Sequence, residues 1–430
     1  MRFSLEWQDD APNASAEERA TVADLQVFVD EVNVCEHLVG QASGVRQPSG
    51  EATVSAYPIA EALAFEWWRL FGRRDDEFRL FNHRCGYALP DLRISHDGER
   101  FTVVSKAREY ANPPVFFYRG ASQLLSKDQA ESAIVGLISQ AMERLRASGV
   151  PQSALALRWE RVRASIGDAN ERAFCEAAGA MNLDPYALSD EAADFIERAG
   201  ALLKGDALLE FLSGLPLAGA RASRLNDLLN WMAGCETRPR YKSRLPLAED
   251  LRQNSSVPKE LAGAEPPWAR GYRCARRVRD ALNAGPGERF RSVSALARRL
   301  DAPNFSPAAP VSGVRAVLQF DQGDVRVHLG GGHQARHRPE SALFAFGRAV
   351  GDAIGNPPVV RSVVNDLHDA SRQALGRAFA AEFLAPVEEI LSMREDGKDT
   401  AFVAEEFGVS EEVVERQLQN RHRIQTACAA

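Results

Sequence analysis

The stretch FAFGRAVGDAIG, residues 344–355, decides how the last third of this chain is read. Apolar residues recur at Leu343, Phe346, Val350 and Ile354, three or four apart. The segment therefore predicts an amphipathic helix with those four on its core face. Arg348 and Asp352 are four residues apart on a common face, close enough for an ion pair. Two dispositions are open. Either the pair turns inward, which is costly unless every donor and acceptor is satisfied, or both residues lie on the solvent face.

Working outward, VRAVLQFDQGDVRVHLGGG (314–332) has two alternating runs around Gln322-Gly323 and predicts a β-hairpin. Two helices precede it, in PPWARGYRCARRVRDALNAG and SVSALARRLDA. After the quoted stretch come a helix in NDLHDASRQALGRAFAAEFLAP and a helical pair in DTAFVAEEFGVSEEVVERQLQNRHRI. That pair has helix-turn-helix spacing: Ala404 and Val409 inside, Gly408 at the turn, Ser410 capping the second helix. A DNA reader meets bases with the start of that helix, and here Glu411, Glu412 and Glu415 would repel phosphates. Arg416, Arg421, His422 and Arg423 lie at its far end. The other reading is a structural pair that closes the domain.

The chain has 430 residues, enough for two or three domains. With 45% hydrophobic and 26% charged residues it has the composition of a soluble globular protein. No apolar run is long enough for a membrane span, and the polar, acidic start is not a secretory signal. A net charge of −7 disfavours nucleic-acid binding by the whole surface, though not by a local patch. Cys35, Cys85, Cys175, Cys235, Cys274 and Cys428 are scattered, with no C-x-x-C pair, which fits a reduced cytoplasm and no zinc ribbon.

Residues 1–25 read as a mobile lead-in or an edge element, 25–34 as a strand, and 52–72 as a strand turning to helix with Pro58 at its first position. Of Trp67 and Trp68, one is expected in the core and the other at a boundary or partner surface. Asp97-Gly98 predicts a hairpin. Residues 126–149 predict a helix capped by Ser126 or Asp128 and ended by Gly149. The stretch 151–255 reads as nearly all helix, with a polar, proline-bearing linker at 252–267. The expected organisation is α+β and multidomain: a mixed domain over 1–150, a helical region over 151–255 and a third domain over 256–430. His83, Cys85 and Asp91 do not make a triad by spacing.

From about residue 266 to 424, the element order together with AFAAEFLAP (378–386) and VAEEFGVS (403–410) resembles the ImmA/IrrE family of bacterial zinc metallopeptidases. The resemblance implies a zincin-like domain of helices around a small hairpin or sheet. In that family the helix after the hairpin carries H-E-x-x-H: two histidines on one face reach a single zinc, and the glutamate takes a proton from its water. Laid on this chain, the histidine positions fall on Arg348 and Asp352, the general base on Ala349, and the third ligand near Gln373. Arginine has no lone pair to give a metal, and alanine moves no proton. The zinc motif is thus degenerate, and no cofactor is expected. The Arg348 guanidinium is expected to occupy the place of the missing cation, satisfied by Asp352 and by Gln373 or Asp369.

An alternative metal site is His328, His333 and His337, although glycines and Pro339 make that segment a loop. Arg270, Arg273 and Arg277 share a helix face and form the better basic patch, for a phosphate backbone or an acidic partner. The favoured function is a non-catalytic, cytoplasmic regulatory or interaction module with a protein partner, in the stress, mobile-element or phage-defence setting that the resemblance implies. The alternatives are an active zinc endopeptidase with relocated ligands and a DNA-binding regulator. The oligomeric state is not legible.

Overall fold

A computed structural model describes residues 1–8, 14–40, 46–74, 76–111, 114–215, 222–234, 265–285, 287–300, 314–321, 324–330, 339–356, 359–368 and 370–429. The fold is mixed α+β, with small antiparallel sheets. Contacts divide the chain into two compact units, Met1–Leu188 and Ser189–Ala430. No helix among the described residues is long and apolar enough to cross a membrane.

In the first unit the strands are β1 (Arg2–Trp7), β2 (Val22–Val29), β3 (Val32–Asn33), β4 (His37–Gly40), β5 (Arg46–Ser49), β6 (Ala52–Ser55), β7 (Glu77–Arg79), β8 (Asp91–His96), β9 (Phe101–Lys106), β10 (Arg108–Ala111), β11 (Pro114–Phe117) and β12 (Ala121–Leu125). They form three sheets: β1-β2-β3 with β6 also on β2, β10-β11-β4-β5, and β12-β9-β8-β7. The helices are α1 (Ala16–Ala20), α2 (Ala56–Phe65), α3 (Trp67–Gly72), α4 (Lys127–Ala147), α5 (Ala154–Gly167) and α6 (Ala169–Ala180).

Of the two readings of the N-terminal stretch, the edge element holds: β1 pairs along its length with β2 and ends its sheet. The run 25–34 is broken at Asp30 and Glu31, whose φ of 49° and 64° make the turn of a tight hairpin. Helix α2 starts at Ala56, so Pro58 sits in its first turn rather than at its first residue. Trp67 and Trp68 are both buried, at 1% exposure each. Trp67 meets Trp159 edge-on at 5.0 Å, and Trp68 Nε1 donates to the Tyr186 hydroxyl at 3.1 Å. Asp97 Oδ1 accepts from the backbone of Glu99 and Arg100 and shapes the β8–β9 turn. Ser126 and Gln129 form a capping box on α4.

The first unit runs past residue 150 because α5 and α6 pack on α2 and α3. The α3–α6 crossing needs glycine on both sides. A Cβ at Gly72 would lie 2.1 Å from the Glu176 carbonyl oxygen, and one at Gly179 would lie 2.0 Å from that of Trp68. The stretch read as one helical middle region is thus shared between the two units.

The second unit holds α7 (Asp190–Leu202), α8 (Gly205–Ser213), α9 (Ala222–Gly234), α10 (Pro267–Ala281), α11 (Val293–Arg299), α12 (Pro339–Gly355), α13 (Ser371–Leu384), α14 (Val387–Glu395), α15 (Thr400–Phe407) and α16 (Glu411–Ala429). The expected hairpin is present as β13 (Val314–Asp321) and β14 (Asp324–Leu329), and β15 (Arg361–Asn365) adds to β13 to give the order β14-β13-β15. The turn at 322–323 lies outside the described residues, as does most of the expected linker. Phe346, Val350, Phe379, Phe383 and Phe407 belong to the core between the sheet and the helices. Within AFAAEFLAP, Glu382 is 1% exposed. It accepts from Arg276 of α10, from the backbone N–H of Val387 at the start of α14, and from Gln417 of α16. One carboxylate thereby ties three helices to α13.

Candidate functional site

The centre of the second unit is the contact between α12 and α13. It is close because α12 presents Gly347, Gly351 and Gly355 to its neighbour. A Cβ at Gly351 would come within 2.6 Å of the Phe379 Cβ, and one at Gly347 within 3.1 Å of the Ala380 Cβ. This brings the polar residues of both helices against the edge of β15.

Arg348 and Asp352 are buried, at 5% and 3% exposure, and Ala349 is fully buried. The solvent-face disposition is therefore excluded. The expected pairing is also revised, because each residue takes other partners. Arg348 Nη2 donates to the Asn365 carbonyl and to Gln373 Oε1, the latter at 2.9 Å, while its Nη1 lies 3.8 Å from Asp366. Asp352 pairs with Arg372 at 2.8 Å and accepts from Asn356 Nδ2 at 2.7 Å and from the Ser362 hydroxyl. Asp369 lies outside the described residues. Burial, and next the neighbouring Arg377, push the Arg348 guanidinium down to about 9, so it remains charged at neutral pH.

Gln373 is the hub. Its Nε2 donates to Glu210 of α8 at 2.9 Å and to the Val363 carbonyl at 2.8 Å. Its Oε1 accepts from Arg348 and, at 3.0 Å, from the Asn365 N–H. All four hydrogen-bonding positions are used. Two of them engage the outer edge of β15 as a neighbouring strand's peptide group would.

These residues do not fit a zinc ion. Arg348 has no lone pair, Ala349 offers no base, the Asp352 oxygens are engaged by three donors, and the Gln373 amide is saturated. Among the described residues no three His, Cys, Asp or Glu side chains gather as a metal would need. His328 stands on β14, 7% exposed, with Nε2 3.2 Å from Gln319 Oε1. Burial, then Arg326 and Arg361, pull its pKa down to about 4. His333 and His337 lie outside the described residues.

The basic stripe on α10 is only partly drawn into internal contacts. Arg273 pairs with Glu265, Arg276 with Glu382 and Arg279 with Glu389. Arg270 lies 3.4 Å from the Ser371 hydroxyl, and Arg277 is exposed. In the C-terminal pair Gly408 adopts φ 66°, and Ala404 and Val409 are buried as expected. Glu411, Glu412 and Glu415 are exposed at the start of α16. In the first unit His83 stacks on Phe78 and Asp91 pairs with Arg93, while Cys85 is exposed.

Several contributors were not singled out in the sequence, Arg372, Glu210 and Ser362 among them. Arg372 adjoins Gln373 and was passed over. Glu210 comes from 163 residues away, a pairing no local pattern announces. Ser362 lies in RSVVN, a run buried at all five positions and so lacking the alternation that marks a half-exposed strand. Comparison of the chain with protein-family models, with curated proteins and with solved structures returns no match.

Proposed function

We propose that the C-terminal part of this chain is an ImmA/IrrE-like peptidase domain in which fixed charges have replaced the metal. It would act by binding a protein partner, as a regulatory module in bacterial stress response, mobile-element control or phage defence. A cytoplasmic location goes with that reading. The observation that carries it is the 2.9 Å contact between Arg348 and Gln373. These are the positions of the first and third ligands in the family pattern, on two different helices. Residues that once shared one ion should still meet across the same gap. Asp352, at the second ligand position, is buried one turn further along α12.

Restoring the ligands tests this descent. A variant with Arg348→His, Ala349→Glu, Asp352→His and Gln373→Glu should gain about one zinc per chain while the parent has none. A folded variant without zinc would show that the helix pair does not have the family's geometry. On α10 the ion pairs of Arg273, Arg276 and Arg279 leave Arg277 as the exposed arginine of the patch proposed for the DNA-binding alternative.

A further inference from the structure

Helix α8 behaves differently from the helices on either side of it. α7 and α9 pack on each other, and Arg198 of α7 donates to Asn226 and Asn230 of α9. α8 packs chiefly on β15. Side chains alternate along that strand: Ser362 reaches Asp352 of α12 on one face. On the other, Arg361 donates to the Leu202 carbonyl and Asn365 Nδ2 donates to the Glu210 carbonyl at 3.0 Å. All seven residues from Ala207 to Ser213 are buried. Six are apolar or small, and the seventh is Glu210, at 3% exposure. Its carboxylate meets Gln373 at 2.9 Å and attracts Arg372. Gly214 follows directly against Asn365, where a Cβ would lie 3.0 Å from Nδ2.

A helix of nine residues is not stable alone in water, so α8 owes its form to this bed. A buried carboxylate is tolerated only where donors meet it, so the bed selects for one. α7 and α9 also contact each other directly. We infer that the face formed by β15 and the start of α13 is a binding site for a short apolar helix carrying one buried glutamate. α8 fills it within the chain, and a helix of the same character from a partner protein fills it when α8 leaves. The site binds such a helix whether or not the adjoining charge cluster descends from a zinc centre.

The test uses the full-length protein and a labelled peptide spanning residues 203–215, LKGDALLEFLSGL. Glu210→Ala weakens the internal occupant. The peptide should therefore bind this variant at least about tenfold more tightly than the parent chain. A peptide with glutamine in place of its glutamate should bind about tenfold less tightly, since a charged hydrogen bond is lost. Absence of binding to the variant, or equal binding of the two peptides, overturns the inference. Hydrogen exchange on the unaltered chain gives an independent reading if the variant fails to fold. The α8 amides should exchange at least about tenfold faster than those of β15. Equal protection would make α8 an inseparable part of the core and overturn the inference as well.

Discussion

Arg348 and Asp352 are four residues apart, which puts them on one helix face but does not choose their partners. The choice is made by what α13 and β15 bring. Arg372 takes Asp352 at 2.8 Å, while Arg348 is drawn to Gln373 and the Asn365 carbonyl. Double-mutant cycles read by denaturant unfolding should separate these contacts. The Asp352–Arg372 pair should show a coupling of roughly 3 kcal/mol, because removing either partner strands a buried charge. The Arg348–Asp352 pair should show under about 1 kcal/mol. The reverse order would mean that the two residues of α12 pair with each other after all. The burial of Arg348 and Asp352 was open in the sequence, because periodicity gives a face but not the depth at which that face is covered.

At the scale of elements, most of the helices and the β13–β14 hairpin were legible, since their apolar spacing and end signals are local. The turn of the C-terminal pair was readable, because Gly408 supplies the left-handed conformation that few other residues accept. The third strand was not, because β15 is buried on both faces and shows no alternation. The glycines Gly347, Gly351 and Gly355 are spaced by four within the quoted stretch, but spacing alone does not say that a neighbouring helix lies against them. The contact makes a specific demand. Gly351→Ala drives a methyl group into Phe379 and should destabilise the second unit by about 1–3 kcal/mol, despite alanine's better helix propensity. Gly136→Ala in α4, where a Cβ meets nothing within 4 Å, should instead stabilise by up to about 1 kcal/mol. Thermal unfolding of the two variants checks both signs. A harmless Gly351→Ala would mean that α12 and α13 are further apart than described.

At the scale of the whole molecule, the division at Leu188 and Ser189 was hidden from the sequence because α5 and α6 look like the helices that follow them. Their allegiance is decided by the Gly72 and Gly179 crossing and by Trp159, which are tertiary facts. Each unit also buries a neutral histidine. His96 stacks on Phe101 at 4.2 Å beside Arg74, and burial followed by that charge lowers its pKa to about 2. His328 is lowered to about 4. In the unfolded chain both titrate near 6.5. The unfolded state therefore takes up protons first as pH falls, and stability present above about pH 6.5 is lost below it. The loss is about 1.4 kcal/mol per pH unit for each histidine. For His328 it ends near pH 4, and for His96 it continues toward pH 2. Unfolding midpoints of His328→Gln and the parent chain, compared between pH 7 and pH 4, should converge as pH falls. A gap that stays constant would mean that His328 is charged in the fold.

In the function proposed, fixed charges rather than a metal hold the α12–α13 site together. The most direct measurement is the zinc content of the purified full-length protein, taken with its thermal midpoint before and after chelation. The purified protein should carry no stoichiometric zinc, its midpoint should not shift on chelation, and it should show no chelator-sensitive proteolysis. One zinc per chain whose removal lowers the midpoint would contradict this, and would place the metal on ligands other than Arg348 and Gln373.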